Sequence, residues 1–286
     1  MTDSFIHPNE LKKRYSFLAK KSLGQNFLVH RPILETISQK ILEKSPQTLL
    51  EIGPGPGSLS QLLAPKVQKM ILVEKDEQFE TLLQEIVAPL GNIKIIREDF
   101  LKVDLNTLIL PENQPCFAVG NLPYNVSIPI LQKLMEFRHL FSRLFLMFQK
   151  EVALRLCAKP NTKDYGSLSV YIQMLADLKM ILPIPPSAFD PRPKIQSAVV
   201  EIIPLLEPRE KVNLPFFEKV VQAAFNPRRK TLSNNLKTLM AGHLSKEKID
   251  SLLEATSINP QRRGETLSLK EFAKLSQVFE AQFNPK

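Results

Sequence analysis

Short apolar runs alternate with amphipathic segments through the first half of this chain. Ile33, Leu34, Ile37, Ile41 and Leu42 recur at helical spacing. "LLEI" (49–52) precedes a glycine turn and a segment carrying Leu59, Leu62 and Leu63 at helical intervals. "MILV" (70–73) precedes another, carrying Phe79, Leu82, Leu83 and Ile86. "IKII" (93–96), "FAV" (117–119) and "LFLMF" (144–148) continue the series. Runs this short and this uniformly apolar read as strands buried on both faces. Alternating with helices, they predict a parallel sheet covered on both sides.

The pattern changes after Val152. "MIL" (180–182) and "AVVEII" (198–203) predict two further strands, bringing the sheet to seven, Rossmann-like in its alternation. Between them lies "PIPPSAFDPRPKIQS", where closely spaced prolines remove donors, fix φ and exclude a helix. These two strands are expected to form an antiparallel hairpin at one edge. From about Pro208 only helical patterns remain, over Phe216–Ala224, Thr231–Met240, Ser245–Ala255 and Ser268–Gln282. The fold class is therefore α/β with a small C-terminal helical domain, divided near residue 206 into 1–206 and 207–286.

Composition narrows the class. With 286 residues, 43% of them hydrophobic, the chain can bury real cores. A net charge of +9 points to a polyanionic partner, most often nucleic acid; a basic surface kept for solubility is the plainer alternative. No apolar run approaches the ~20 residues of a membrane span, and the first residues lack a secretory h-region. Two cysteines, Cys116 and Cys157, exclude a disulfide framework. With only four histidines they also argue against a structural zinc site. Two buried, reduced thiols in a monomeric cytoplasmic protein are expected, with no metal.

The candidate chemistry begins at "EIGPGPGSLSQLL". Gly53, Gly55 and Gly57 stand between a strand and a helix, where glycine lets the backbone turn sharply and lets a ligand approach main-chain N–H groups. Glu74 ends the next strand, 21 residues after Gly53, in position to accept hydrogen bonds from both hydroxyls of a ribose. Asp99 follows the third strand along the same edge. A dinucleotide site favours G-x-G-x-x-G; here the spacing is G-x-G-x-G, Ser58 stands where the last glycine would be, and Pro54 and Pro56 remove two donors. An adenosine ligand without phosphates fits better, which means S-adenosylmethionine. The plainer readings are a solvated strand end for Glu74 and a helix N-cap for Asp99.

"GNLPYN" (120–125) ends the fourth strand with no good acid, base or metal ligand. An exocyclic adenine amine is a poor nucleophile because its lone pair is delocalised into the ring. Accepting both amine hydrogens favours a pyramidal nitrogen, and the Asn121 side-chain oxygen and the Leu122 main-chain carbonyl are candidate acceptors. Pro123 restrains Leu122 to an extended conformation, and Tyr124 offers a face for a flipped base. No strong base is needed, because the amine proton becomes very acidic once the methyl arrives. A proline-ended strand with a turn asparagine is the plainer reading.

"NLPY" in this place resembles the catalytic motif of adenine-specific methyltransferases. Together with "KKSLGQNFL", "EIGPGPGSLS", "FDPRPKIQSAVV" and "AAFNPRRKTLSNNL", it resembles the KsgA-type small-subunit ribosomal RNA adenine dimethyltransferase family over about residues 12–275. The resemblance implies a methyltransferase domain followed by a helical RNA-binding domain. It implies dimethylation of two adjacent adenosines in the last small-subunit (16S) rRNA hairpin loop, late in assembly of the small ribosomal subunit. Carried over residue by residue, Asn26 and Leu28 would border the methionine end of the cofactor. Gly53 would contact it through the backbone, with Gly55 in the same turn. Glu74 would hold the ribose and Asp99 would meet the adenine amine. Asn121 would touch both cofactor and target, and the target base would lie between Tyr124 and Phe189. Without the resemblance Phe189 reads as a core residue. His30 and Ile128 depart from the pattern of many relatives, at positions with no proposed contact.

Arg228, Arg229 and Lys230, at the expected start of a helix, are candidate phosphate contacts, as are Lys12, Lys13, Arg14, Lys20 and Lys21 in the N-terminal arm. Competing readings are a large-subunit rRNA methyltransferase, an RNA-binding assembly factor without turnover, and an NAD-dependent dehydrogenase.

Overall fold

The computed structural model describes residues 5–239 and 244–283. Its contacts divide into two compact units. The first holds the described residues up to Ala153 together with Lys179–Pro204; the second holds Leu154–Leu178 and the described residues from Leu205 onward. A single division near residue 206 therefore misses the segment Leu154–Leu178, which joins the helical unit.

The strands are β1 (Phe27–Leu28), β2 (Thr48–Ile52), β3 (Lys69–Glu74), β4 (Ile93–Arg97), β5 (Cys116–Asn121), β6 (Phe141–Gln149), β7 (Ala176–Ile184), β8 (Phe189–Asp190) and β9 (Ser197–Pro204). Seven of them form one sheet in the order β4-β3-β2-β5-β6-β9-β7. Neighbours from β4 through β6 run parallel, and β9 is antiparallel to β6. Each of the seven apolar runs lies within one of these strands. All five residues of β2 are buried, whereas edge strand β4 has only half-buried and exposed positions. That contrast is what two covered faces at the centre and an open side at the edge produce. The "MIL" and "AVVEII" strands lie at the other end of the sheet, β7 outermost beside β9.

The helices are α1 (Pro8–Tyr15), α2 (Arg31–Leu42), α3 (Ser60–Leu63), α4 (Glu80–Leu82), α5 (Leu105–Leu108), α6 (Ser127–Glu136), α7 (Lys150–Leu156), α8 (Ser167–Leu175), α9 (Leu214–Ala224), α10 (Leu232–Leu239), α11 (Lys246–Ala255) and α12 (Leu269–Phe283). Two departures from the periodicity have local causes. The segment after β3 passes from α4 into a π-helical turn over Leu83–Val87. The wider turn buries Val87 completely and leaves Ile86 half-buried, one residue out of step with the helical expectation. The proline-rich connection contains a 3₁₀ turn, Pro186–Ala188, followed by β8, which pairs antiparallel with β1. Two-residue strands have no periodicity to reveal them.

The second unit is helical. Phe225 stacks on Phe272 with ring centroids 5.9 Å apart, and the buried Tyr165 hydroxyl donates to the Leu267 carbonyl at 3.0 Å. Tyr165 and α8 thereby supply core to this unit. The expected helix Thr231–Met240 corresponds to α10; Met240 itself lies outside the described residues. Cys116 is buried, but Cys157 is only half-buried, correcting the expectation of two buried thiols. No described helix is long and apolar enough to cross a membrane. Among the described residues no cluster of three or more His, Cys, Asp or Glu side chains could hold a metal ion.

Candidate active site

Strand order reverses beside β2: β3 and β4 lie on one side of it, β5 and β6 on the other. Open α/β sheets bind ligands at the carboxyl ends of strands flanking such a point. The glycine turn leaves β2 there and "NLPY" leaves β5 there, with Glu51 in register with Val119. A cavity of about 210 Å³ opens between them, and its wall includes Asn26, Leu28, Gly53, Gly55, Glu74, Asp99, Asn121, Leu122, Pro123 and Tyr124. Only Phe189, of the candidate cofactor and base residues, is not on that wall. It is 4% exposed and packs in the hydrophobic core with Leu28, Ile184 and Val199. It is packed as its plainer reading expects, and the antiparallel pair Leu28–Phe189 ties the arm to the proline-rich connection.

The turn works differently from the expectation of open N–H groups. The three glycines all have positive φ, +66° at Gly53, +54° at Gly55 and +72° at Gly57. A side chain at Gly57 would also place its Cβ 2.7 Å from Val87 Cγ2, so this glycine lets the turn close onto the π turn. The N–H groups are engaged within the protein: Gly53 donates to Val73 O at 2.9 Å, Gly57 to Pro54 O at 3.0 Å, and Gly55 to Glu74 Oε2 at 2.9 Å. None of these three donors is left for a pyrophosphate, which supports the reading of a ligand without phosphates. A backbone contact from Gly53 has to come from its carbonyl.

Glu74 is buried, and its other oxygen accepts the Asp76 N–H at 2.8 Å. Each oxygen keeps a lone pair for a hydroxyl. Burial raises the Glu74 carboxyl above its ordinary range, against the opposing pull of the Asp76 and Gly55 N–H groups. Asp99 shows the contact of its plainer reading and an ion pair besides. Its Oδ1 accepts the Leu101 N–H at 3.0 Å, as a cap would, and its Oδ2 accepts Lys75 Nζ at 2.8 Å. The Lys75 hydrogen bond holds the Asp99 carboxyl below the usual range.

The N-terminal arm is fastened over this edge by Asp76. Its carboxylate accepts Lys20 Nζ and Gln25 Nε2, each at 2.7 Å, and Gln78 Nε2 at 2.6 Å. Burial alone would raise the Asp76 carboxyl, but these donors, led by Lys20, outweigh it and hold it low. Gly24, in a left-handed turn, lies against the motif loop: a Cβ there would meet Asn125 Oδ1 at 2.9 Å. Lys12, for its part, pairs with Asp190 at 2.7 Å. Lys12 and Lys20 thus have carboxylate partners inside the protein.

Asn121 Nδ2 donates to the Asn26 carbonyl at 2.8 Å. Because a carbonyl can only accept, that contact fixes the amide and leaves Oδ1 as the end that can accept a hydrogen bond. Tyr124 is half-buried, and its hydroxyl lies 2.6 Å from Ser197 Oγ. Burial raises the phenol above its ordinary pKa, and the Ser197 hydrogen bond only partly offsets this.

Two groups on the cavity wall carry roles that sequence reasoning did not assign. Glu51 is 3% exposed and accepts Ser60 Oγ at 2.6 Å; burial pushes its carboxyl up to about 7. Its signal was a lone carboxylate in an apolar strand. Ser58 Oγ is buried with no hydrogen-bond partner among the described residues. A buried hydroxyl at the wall of a cavity calls for a polar ligand there. With the engaged glycine donors and the Glu74 carboxylate, it fits S-adenosylmethionine: Glu74 would hold the ribose, Asp99 the adenine end, and Asn26 and Leu28 the methionine end.

In the second unit, Arg228, Arg229 and Lys230 are exposed in the turn between α9 and α10, not at a helix start. Arg228 is paired within the unit, to Glu265 at 2.9 Å and to the Lys163 carbonyl at 2.5 Å.

Comparison with known proteins agrees with this architecture. Residues 16–275 match the family described as "Ribosomal RNA adenine dimethylase". "Ribosomal RNA small subunit methyltransferase A" of Geobacillus sp. (strain WCH70) is 43% identical over 277 residues, 95% of each chain. The protein of the same name from Bacillus thuringiensis (strain Al Hakam) is 40% identical over 280 residues, covering 94% of this chain and 95% of the relative. Among solved structures, a dimethyladenosine transferase from Plasmodium falciparum superposes with a TM-score of 0.74 at 24% identity, over 88% of this chain and 96% of that one. The 23S rRNA methyltransferase ErmE superposes with a TM-score of 0.67 at 22% identity, over 89% of this chain and all of that one. The two structures establish the shared fold. The profile match and the identity to full-length relatives go further: this chain belongs to the ribosomal RNA adenine dimethylase family, enzymes that use S-adenosylmethionine.

Proposed function

We propose that this enzyme dimethylates the exocyclic amines of two adjacent adenosines in the 3′-terminal hairpin loop of 16S rRNA, during assembly of the small subunit, as a cytoplasmic monomer. The observation that carries the chemistry is the Asn121–Asn26 hydrogen bond. It aims Asn121 Oδ1 as an acceptor, so that Oδ1 and the Leu122 carbonyl together take the two amine hydrogens and localise the nitrogen lone pair. Pro123 holds the Leu122 carbonyl in place. Tyr124 stacks on the flipped adenine, its ring held at the hydroxyl by Ser197. S-adenosylmethionine, when bound, supplies a sulfonium-activated methyl group. No side chain has to remove the amine proton beforehand, since methylation itself makes it acidic. Tyr124, whose pKa burial raises, stays protonated at neutral pH.

The 43% identity to a small-subunit methyltransferase supports the small-subunit target, and Arg229 and Lys230 supply charge for RNA phosphates. Labelled methyl transfer to unmethylated small subunits, followed by mapping of modified bases, tests the reading. The expected product is N6,N6-dimethyladenosine at two neighbouring positions in the terminal loop. Label in 23S rRNA instead would overturn it.

A further inference from the structure

Lys133 lies on α6, nine residues after Tyr124 in sequence, and its side chain reaches a different loop. Its ammonium donates to three main-chain carbonyls, Phe100 and Leu101 at 2.9 Å each and Val103 at 2.5 Å. An ammonium has three protons, so all three are used on one loop. Its nitrogen also sits 5.5 Å from the centre of the Phe100 ring. Lys133 is half-buried and forms no ion pair among the described residues; Glu136, Asp104 and Asp99 are the charged groups that act on it at longer range.

The loop it gathers follows edge strand β4 and carries Asp99 and Phe100, both on the cavity wall. Within the loop, Lys102 N–H donates to Asp99 O at 2.8 Å and Val103 N–H to Phe100 O at 3.3 Å. Those bonds shape a turn that follows β4, the edge strand of the sheet. Lys133 is the side chain that fastens the turn to a helix. That helix begins three residues after Tyr124, so one element continues the base-binding motif and holds the loop at the cofactor's adenine end.

We infer that Lys133 is a positioning residue for cofactor binding: by collecting the Phe100, Leu101 and Val103 carbonyls it holds Asp99 and Phe100 where the adenine of S-adenosylmethionine docks. This rests on the placement of Asp99 at the adenine end proposed above. Lys133 acts through the loop and touches no reacting atom.

The test compares Lys133→Met and Asp99→Ala with the parent by calorimetric titration of S-adenosylmethionine. Hydrogen exchange of the Leu101–Val103 amides in the cofactor-free enzyme is followed alongside. Lys133→Met should weaken cofactor affinity by about tenfold or more and raise the KM for it equally, with kcat at saturating cofactor within about threefold and RNA affinity unchanged. Exchange at Leu101–Val103 should quicken while amides in β2 and β5 keep their protection. If Lys133→Met does not fold, Lys133→Arg keeps the charge but not three convergent donors, and the same loss in smaller degree is expected. Faster exchange or lower thermal stability with unchanged cofactor affinity would make Lys133 merely structural and overturn the inference. If Asp99→Ala weakens binding and Lys133→Met does not, this inference alone fails. If neither does, the Asp99 reading fails with it.

Discussion

The hydroxyl of Tyr124 lies 2.6 Å from Ser197 Oγ, across 73 residues of chain. This contact gives the motif tyrosine a hydroxyl partner that sequence reasoning did not foresee, and the partner is a neutral alcohol that cannot make it a base. The phenol anchors the ring. Tyr124→Phe keeps the stacking face and should lose only several-fold in transfer efficiency, while leaving Ser197 Oγ buried and unpaired. Tyr124→Ala removes a platform worth roughly 1–3 kcal/mol per base and should cost about 5- to 150-fold. Ser197→Ala should resemble Tyr124→Phe, and the double variant should be little worse than either, as coupled partners are. A Phe variant as damaged as the Ala variant would show that the hydroxyl does chemistry.

Glu74 holds the glycine turn through both of its oxygens, and the proposed cofactor site gives the same two oxygens the ribose hydroxyls. Glu74→Ala should weaken S-adenosylmethionine binding at least about tenfold, since hydrogen bonds to a charged acceptor are worth roughly 1.5–3 kcal/mol each. Glu74→Gln is not a mild change here, because its amide would turn a donor toward either the Gly55 or the Asp76 N–H. Equal affinities in calorimetry would remove Glu74 from the site.

Glu51 makes stability depend on pH. Burial pushes its carboxyl from 4.5 up to about 7, so the folded state binds the proton more tightly than the unfolded chain. Its contribution is complete below about pH 4.5 and is lost as pH rises to about 7, a span worth roughly 3 kcal/mol. Glu51→Gln mimics the protonated form and can still accept Ser60 Oγ. Melting of the cofactor-free proteins should show a gap in favour of Gln that widens from about pH 5 to pH 8. Parallel melting curves would mean that the carboxyl does not titrate there.

The basic cluster divides into two roles. Arg228 is tied to Glu265 and the Lys163 carbonyl, so Arg228→Ala should lower stability and leave the salt dependence of RNA binding nearly unchanged. Arg229→Ala with Lys230→Ala should reduce the log–log salt slope by about 1.4 to 1.8, at 0.7–0.9 per phosphate. Cofactor affinity should stay constant in both. A fall in slope from Arg228→Ala as large as from the pair would contradict this division.

The central sheet and one edge of the site were legible in the chain because their signals are local. Predominantly apolar runs mark β2, β3 and β5, and the turn after β2 and the motif after β5 come to one edge because parallel strands share a direction. Glu74 followed from the end of β3 in the same way. What stayed hidden depends on partners distant in sequence: Ser197 for Tyr124, Asp190 for Lys12, Glu265 for Arg228, three carbonyls 30 to 33 residues away for Lys133.

By itself, then, the sequence determined the seven strands of the main sheet and the glycine turn, since hydrophobic period and residue type suffice for these. Only the tertiary structure decided that the glycine N–H groups are spent on Val73, Pro54 and Glu74, that Phe189 is core, and that Leu154–Leu178 belongs with the helical unit. Hydrogen-bond donors and aromatic faces have many possible partners, and which one each takes is settled by packing between segments far apart in the chain.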